Sequence, residues 1–337
     1  MLRIGTARAE PGLLLAPMED ITDLPFRVIC RELGAEMVYT EFINAEGLVR
    51  SSERTFDKLK FLEVERPLGI QIYGASELSM ERAAEIAAAM QPDLIDINCG
   101  CWVKNVALRG AGAGLLRDLP RMREVVARVV GATTLPVTVK TRLGWDQDSI
   151  RIVEVARMLE QIGVQALTVH CRTRAQGHKG DVDYTWIPRI MEAVSIPVIL
   201  NGDITTPEEV AGAFAETGCD GVMVGRGAIQ HPWLFREARR YLESGSATPA
   251  PDLAERASLC LRHLHLALLH RGERYGLIGL RRFYAGYFRG MPGAARLRAD
   301  FAGYKEAATV EDRLLSMGAV ADPGLPALRV AGKAAAA

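Results

Sequence analysis

The amino-acid sequence predicts an α/β protein of the (β/α)8 TIM-barrel class with a helical domain at its C-terminal side. Three observations carry this prediction. Eight short apolar, β-branched runs recur between residues 13 and 227, with room for a helix between each pair. Polar side chains stand at the C-terminal end of every run. Beyond about residue 243 the strand signal stops and leucine-rich helical periodicity replaces it.

The runs are LLLAPM (13–18), MVYTEF (37–42), LGIQIYG (68–74), LIDINCG (94–100), VTVKTRLG (137–144), ALTVHCRTR (166–174), PVILNGD (197–203) and GVMVGRG (221–227). The gaps between them read as helices. After the third run Met80, Ala83, Ala84, Ala87 and Met90 share one helical face. After the fifth, Ile152, Val155, Ala156, Leu159 and Ile162 do the same, and Gly163 supplies a stop. After the seventh, Thr206 is an N-cap, Pro207 suits the first helical position and Glu209 completes a capping box. Val210, Ala213 and Phe214 are the apolar face there, and Gly218 ends the helix. Strands alternating with helices form either a doubly wound sheet or a closed barrel. Eight strands over a span of roughly 230 residues favour the barrel.

The strand ends carry Glu19 and Asp20, Glu41, Gln71, Asn98, Lys140 and Arg142, His170 and Arg172, Asn201 and Asp203, then Arg226. In a barrel these converge on one mouth, where this fold places its chemistry. The stretch ESGSATPAPD (243–252) is rich in small residues and proline and reads as a linker. Residues 1–243 are therefore expected to form the catalytic barrel and 250–322 a helical domain. The low-complexity end, 323–337, is expected to be a disordered tail.

Composition narrows the classes. With 49% hydrophobic and 24% charged residues, the 337-residue chain buries a sizeable core, which excludes disorder over most of its length. No uncharged apolar stretch approaches the roughly 18 residues of a membrane span. The first residues, MLRIGTARAEPG, lack an apolar signal region, so a cytoplasmic protein is expected. Six cysteines are too few for a disulfide scaffold. The lone C-x-C pair, Cys99 and Cys101, has no second pair or nearby histidines to complete a zinc site, so no metal is expected. The net charge is zero, yet residues 256–298 hold nine arginines against one acid, Glu273. A basic segment in a neutral protein points to a local anionic partner.

Two loops suit phosphate. NGD (201–203) ends the seventh run and GRG (225–227) the eighth, the positions where barrels often bind a phosphate. Glycines let backbone N–H groups approach, and Arg226 adds charge. Lys140 aimed into a barrel mouth needs an anion or polar ligand, and a flavin ring with negative charge about N1 and O2 would suit it. His170 ends the neighbouring run. In DINCGC (96–101), Asn98 and Cys101 reach the mouth while Cys99 points elsewhere. A thiol near its ordinary pKa donates a proton, whereas a depressed one is a nucleophile, and the residues alone leave both open. RGAGAG (109–114) lacks the strand–turn–helix setting of a dinucleotide fingerprint and reads as a glycine-rich active-site loop.

In order along the chain, APMEDITDLPFR (16–27), QIYG (71–74), DINCGC (96–101), VKTRLGW (139–145), HCRTRAQ (170–176), NGDIT (201–205), VGRGA (224–228) and HPWLFRE (231–237) resemble the tRNA-dihydrouridine synthase family. NGDIT and HCRTRAQ look most like its bacterial B subfamily. The resemblance implies an FMN enzyme that reduces the C5–C6 bond of D-loop uridines in tRNA, with NADPH as electron source. It places Ala16, Pro17 and Met18 against the flavin, Gln71 and Lys140 on the ring, and His170 beside it. Asn201, Gly202, Asp203, Gly225 and Arg226 are implied at the phosphate end. Cys101 matches the family's catalytic cysteine, and Asn98 and Arg172 match residues near the target base. Arg281 and Arg282, in the basic segment, are expected to contact tRNA phosphates. A monomer is expected. One position departs from the family: Trp102 stands where the pattern G-C-P has proline. That loses a fixed φ angle, or offers RNA a stacking surface. Two rival readings are a small-molecule flavin oxidoreductase of dihydroorotate or dihydropyrimidine type, and a non-catalytic tRNA-binding factor.

Overall fold

Residues 1–320 are described by the computed structural model of the chain; the expectation for 323–337 lies outside them. Two short strands, β1 (Leu2–Ile4) and β2 (Ala7–Ala9), pair antiparallel ahead of the barrel. The barrel strands are β3 (Leu13–Leu15), β4 (Val38–Tyr39), β5 (Ile43–Asn44), β6 (Leu68–Tyr73), β7 (Leu94–Cys99), β8 (Val137–Arg142), β9 (Ala166–His170), β10 (Val198–Asn201) and β11 (Gly221–Val224). They pair in parallel in the order β3-β11-β10-β9-β8-β7-β6-β4, with β5 also on β6. Leu15 N–H to the Met37 carbonyl (3.0 Å) and Glu36 N–H to the Leu13 carbonyl (2.7 Å) join the two ends into a ring. The eight runs expected from the sequence are the eight staves, so the barrel class is borne out.

The second stave is broken in two. At the break the Thr40 hydroxyl, not a backbone carbonyl, accepts the Gln71 N–H (3.1 Å), so the ladder passes briefly through a side chain. The β1–β2 hairpin plugs the barrel's N-terminal end. Leu2, Ile4, Ala7 and Ala9 are buried with the inward residues Leu14, Met37, Tyr39, Leu94, Ile199 and Met223. This floor leaves the opposite end as the open one.

Several helices obey the local signals. Glu77–Ala89 follows β6. Ile152–Ile162 ends at Gly163 with φ 104°, a left-handed position that favours glycine. Pro207–Thr217 starts on the reciprocal Thr206–Glu209 capping box. Past the barrel come the helices Leu253–Leu280, Tyr284–Tyr287, Ala294–Gly303 and Ala307–Ser316. Leu253–Leu280 is two helices joined at Gly272, whose φ of 71° breaks the ladder. Their apolar faces share one core with the barrel helices. Phe26 of Leu24–Glu32 meets Phe283 at 4.6 Å, and Phe283, Tyr284, Tyr287 and Phe288 are all buried. Among the described residues no helix is long and apolar enough to cross a membrane.

The nine arginines of 256–298 divide into two kinds. Arg256 bonds the Pro251 and Tyr287 carbonyls, Arg262 pairs with Glu32, and Arg271 faces Asp23 and Glu41. Those acids lie in the barrel half, so part of the segment's charge is neutralised from far away in sequence. Arg281 and Arg282 are exposed just past the end of the long helix and are not among the residues lining the cleft at the barrel mouth.

Candidate active site

At the C-terminal end of the strands lies a cleft of about 590 Å³, the size of a typical small-molecule site. Its walls include Ala16, Pro17, Met18, Asn98, Cys101, Lys140, His170, Asn201, Gly202, Asp203, Gly225 and Arg226. Twelve residues from six separated strand ends thus meet in one place. Gln71 lies just beneath the wall, fully buried, and Arg172 just behind it. Arg281 and Arg282 are not brought to the cleft.

Cys101 is aimed by its neighbour. The Asn98 side-chain oxygen accepts the N–H groups of Gly100 (3.0 Å) and Cys101 (2.8 Å), which turns the chain sharply out of β7. The Asn98 amide donates to Gln71 (2.9 Å), and Gln71 donates to Asp96 (2.6 Å). Burial raises Asp96 to about 6 against the bonds from Gln71 and Thr138. The RGAGAG loop lies under the turn. Ala113 N–H donates to the Cys101 carbonyl (3.1 Å), and a Cβ on Gly112 would stand 2.9 Å from that of Cys101. Glycine is required there twice, because φ is 56° as well.

Burial raises the Cys101 pKa, against lowering by a Val103 backbone bond, Arg142 and Lys140. The thiol is therefore protonated at neutral pH, which favours the proton-donor alternative over the nucleophile. Cys99 is wholly buried in β7 and pushed up much further.

The cleft is rich in cations. Lys140 Nζ donates to Asn201 Oδ1 (2.9 Å), a neutral partner, and Asn201 donates onward to the Met223 carbonyl (2.7 Å). Burial, aided by Arg142, lowers Lys140 to about 8. Arg142, itself buried, donates to the carbonyls of Gly100, Thr173 and Gly177, each at 2.9 Å, and so ties the loop after β7 to the loop after β9. His170 is held neutral by burial and by Arg142, Lys140 and Arg172. Asp203 pairs with both Arg172 and Arg226 and is held low by them, while the buried Asp96 acts on Lys140 from β7. Arg172 also donates to the Gly180 carbonyl, so its guanidinium is engaged within the protein.

Two participants escaped the sequence reading. Arg142 was seen only as a strand-end cation, whereas it braces two loops. His178 sits in an irregular loop with no periodicity to mark it. It lines the cleft, faces His170 with ring centroids 6.1 Å apart, and accepts a hydrogen bond from Trp102 (3.1 Å).

A closed (β/α)8 barrel with a cationic cleft and a protonated thiol at its C-terminal face defines a class of ligand-binding barrels with an acid at the mouth. Comparison with known proteins narrows it. The dihydrouridine synthase (Dus) family model matches residues 14–319. A tRNA-dihydrouridine synthase B of Pseudomonas aeruginosa is 40% identical over 89% of this chain and 91% of that protein. A probable tRNA-dihydrouridine synthase of Rickettsia bellii is 33% identical over 94% and 97%. Among solved structures, an old yellow enzyme homologue from Zymomonas mobilis aligns over 73% of this chain and 92% of its own, at 16% identity and a TM-score of 0.51, a likeness of fold. The chain belongs to the dihydrouridine synthase family, and its B-type resemblance is borne out.

Proposed function

We propose that this protein is a flavin-dependent tRNA-dihydrouridine synthase of the cytoplasm, acting as a monomer. It reduces the C5–C6 bond of a D-loop uridine in tRNA, with FMN as resident flavin and NADPH as its reductant. One observation carries this reading: in a chain of this family, Cys101, Lys140, His170, Asn201 and Arg226 line a single cleft.

The residues fit such a flavin. Lys140 is a buried cation whose hydrogen bond goes to a neutral amide, the donor an electron-rich ring edge lacks. A Cβ at Gly225 would project toward Ala16 and Met18, so its absence keeps that wall open. Ala16, Pro17 and Met18 would pack on the ring, Gln71 and His170 flank it, and Asn201, Gly202, Asp203, Gly225 and Arg226 hold the phosphate end. FMN, when bound and reduced, supplies a hydride to C6 of the uridine.

The chain's own residues do the rest. The target base leaves its stack to enter the cleft, since its ring edge is unreachable within folded RNA. Cys101, kept protonated by burial, delivers its proton to C5. Arg142 and Lys140 stabilise the thiolate left behind, and solvent reprotonates it. Asn98 aims the thiol, and Arg172 holds Asp203 and the loop after β9 at the edge of the base site. Arg281 and Arg282 contact tRNA phosphates outside the cleft. The test is reconstitution: protein, FMN, NADPH and an unmodified tRNA transcript should yield dihydrouridine, and a protein that neither binds flavin nor alters the transcript refutes the proposal.

A further inference from the structure

Trp102 directly follows the reactive thiol, lines the cleft and is 39% exposed, a large aromatic side chain open at the mouth. It is not loose. Its Nε1–H donates to His178 Nε2 at 3.1 Å, and the two rings meet edge-on with centroids 5.2 Å apart. Gly177 lies against one face of the indole. A Cβ there would come within 3.2, 3.3 and 3.5 Å of three joined ring atoms, a spacing met above a ring and not at its rim. One face is thus covered, the edge is bonded, and the other face is left open at the cleft.

The bond requires His178 to be unprotonated at Nε2. Burial and the nearby Arg226, Arg142 and Arg172 hold His178 at about 4, so the indole is fixed at neutral pH. Fixing an aromatic ring beforehand removes the entropy cost of ordering it on binding.

The surroundings select the occupant. The Gly177 N–H closes a turn on the Arg174 carbonyl (3.1 Å). The Arg174 guanidinium lies 4.4 Å from the centre of the Trp145 ring, and that of Arg117 lies 4.9 Å from the same ring. Two cations on one indole stand within about one Debye length of each other. Neither has a carboxylate partner among the described residues. An open aromatic face, on a loop packed against a turn that carries an arginine without a carboxylate partner, suits an unpaired nucleobase with its phosphate.

We propose that Trp102, held by His178 and Gly177, is a stacking platform for an unpaired nucleobase of the RNA next to the one entering the cleft. Trp102 is then a positioning residue that seats the RNA strand over Cys101. The inference rests on the reading of tRNA as substrate, and its test separates the two.

The measurement is affinity of the flavin-loaded protein for an unmodified tRNA transcript, with iodoacetamide labelling of Cys101 in the RNA-free protein as a probe of the loop. Trp102→Ala should weaken binding about tenfold, within the range for loss of one stacked base. Trp102→Phe should recover most of it, and labelling rates should match wild type in both. Wild-type affinity in Trp102→Ala overturns the proposal, as does a phenylalanine variant no better than alanine. Labelling that accelerates in step with lost affinity also overturns it, since Trp102 would then act only as a brace for the thiol loop. A wild-type protein that binds no tRNA at all refutes the substrate reading itself.

Discussion

Replacing Lys140 by methionine should make the flavin-free protein more stable while weakening its hold on FMN. The side chain keeps its length and apolar stem but loses its charge. Lowering the Lys140 pKa from 10.5 to about 8 corresponds to a cost of about 3 kcal/mol for holding the cation in the folded protein at neutral pH. Methionine removes that cost and forfeits the bond to Asn201, worth about 1 kcal/mol. The net gain is about 2 kcal/mol, a rise of a few degrees in the melting temperature of flavin-free protein. The sign with pH follows. Between about 8 and 10.5 the unfolded chain binds a proton that the folded one does not, so wild-type stability rises with pH there. The advantage of Lys140→Met should therefore be constant below about pH 8 and shrink above it. Adding FMN cancels most or all of this advantage, because a buried charged hydrogen bond is worth roughly 1.5–3 kcal/mol and its loss weakens binding roughly tenfold or more. Scanning calorimetry of both proteins, with and without FMN, reads all of this. A flavin-free variant that melts below wild type, or one that holds FMN equally well, refutes the reasoning.

Cys101→Ala should bind FMN and tRNA but lose most turnover in single-turnover assays, while Cys99→Ala, a small deletion within β7, should cost about 1 kcal/mol of stability and little rate; equal behaviour would misassign the acid. Arg281→Ala with Arg282→Ala should flatten the salt dependence of tRNA affinity by up to about two, one for each lost phosphate contact, as read from binding across a salt titration. His263, buried against the Tyr287 hydroxyl at 2.7 Å, is held at about 3 by burial. Its stabilising contribution is complete above pH 6.5 and falls with pH toward about 3, by up to about 1.4 kcal/mol per pH unit, because only the unfolded chain takes up the proton. Urea unfolding of His263→Gln at pH 7 and pH 5 should show a shallower loss than wild type.

The barrel was legible because its signals are local. Each stave is a short β-branched run, and Thr206, Glu209, Gly163 and Gly218 mark helix ends by chemistry that acts within a few residues. The polar strand ends were legible for the same reason, since parallel strands of one barrel all point their C-termini one way. What stayed hidden depends on distant partners. The β1–β2 strands are three residues each, too short to show periodicity. The break in the second stave depends on a Thr40 hydroxyl meeting a backbone group 31 residues away. The basic segment pointed wholly to an outside anion because Glu32, Asp23 and Glu41, which answer Arg262 and Arg271, lie more than 200 positions earlier. Arg142, Trp102 and His178 take their roles from contacts between loops, and no spacing within either loop announces them.

The most direct test of the account is mapping of dihydrouridine, position by position, in tRNA from cells with the gene, without it, and with the gene restored as wild type or as Cys101→Ala. Dihydrouridine at a D-loop position should vanish without the gene, return with wild type and stay absent with Cys101→Ala. An unchanged dihydrouridine map in cells lacking the gene would contradict the account.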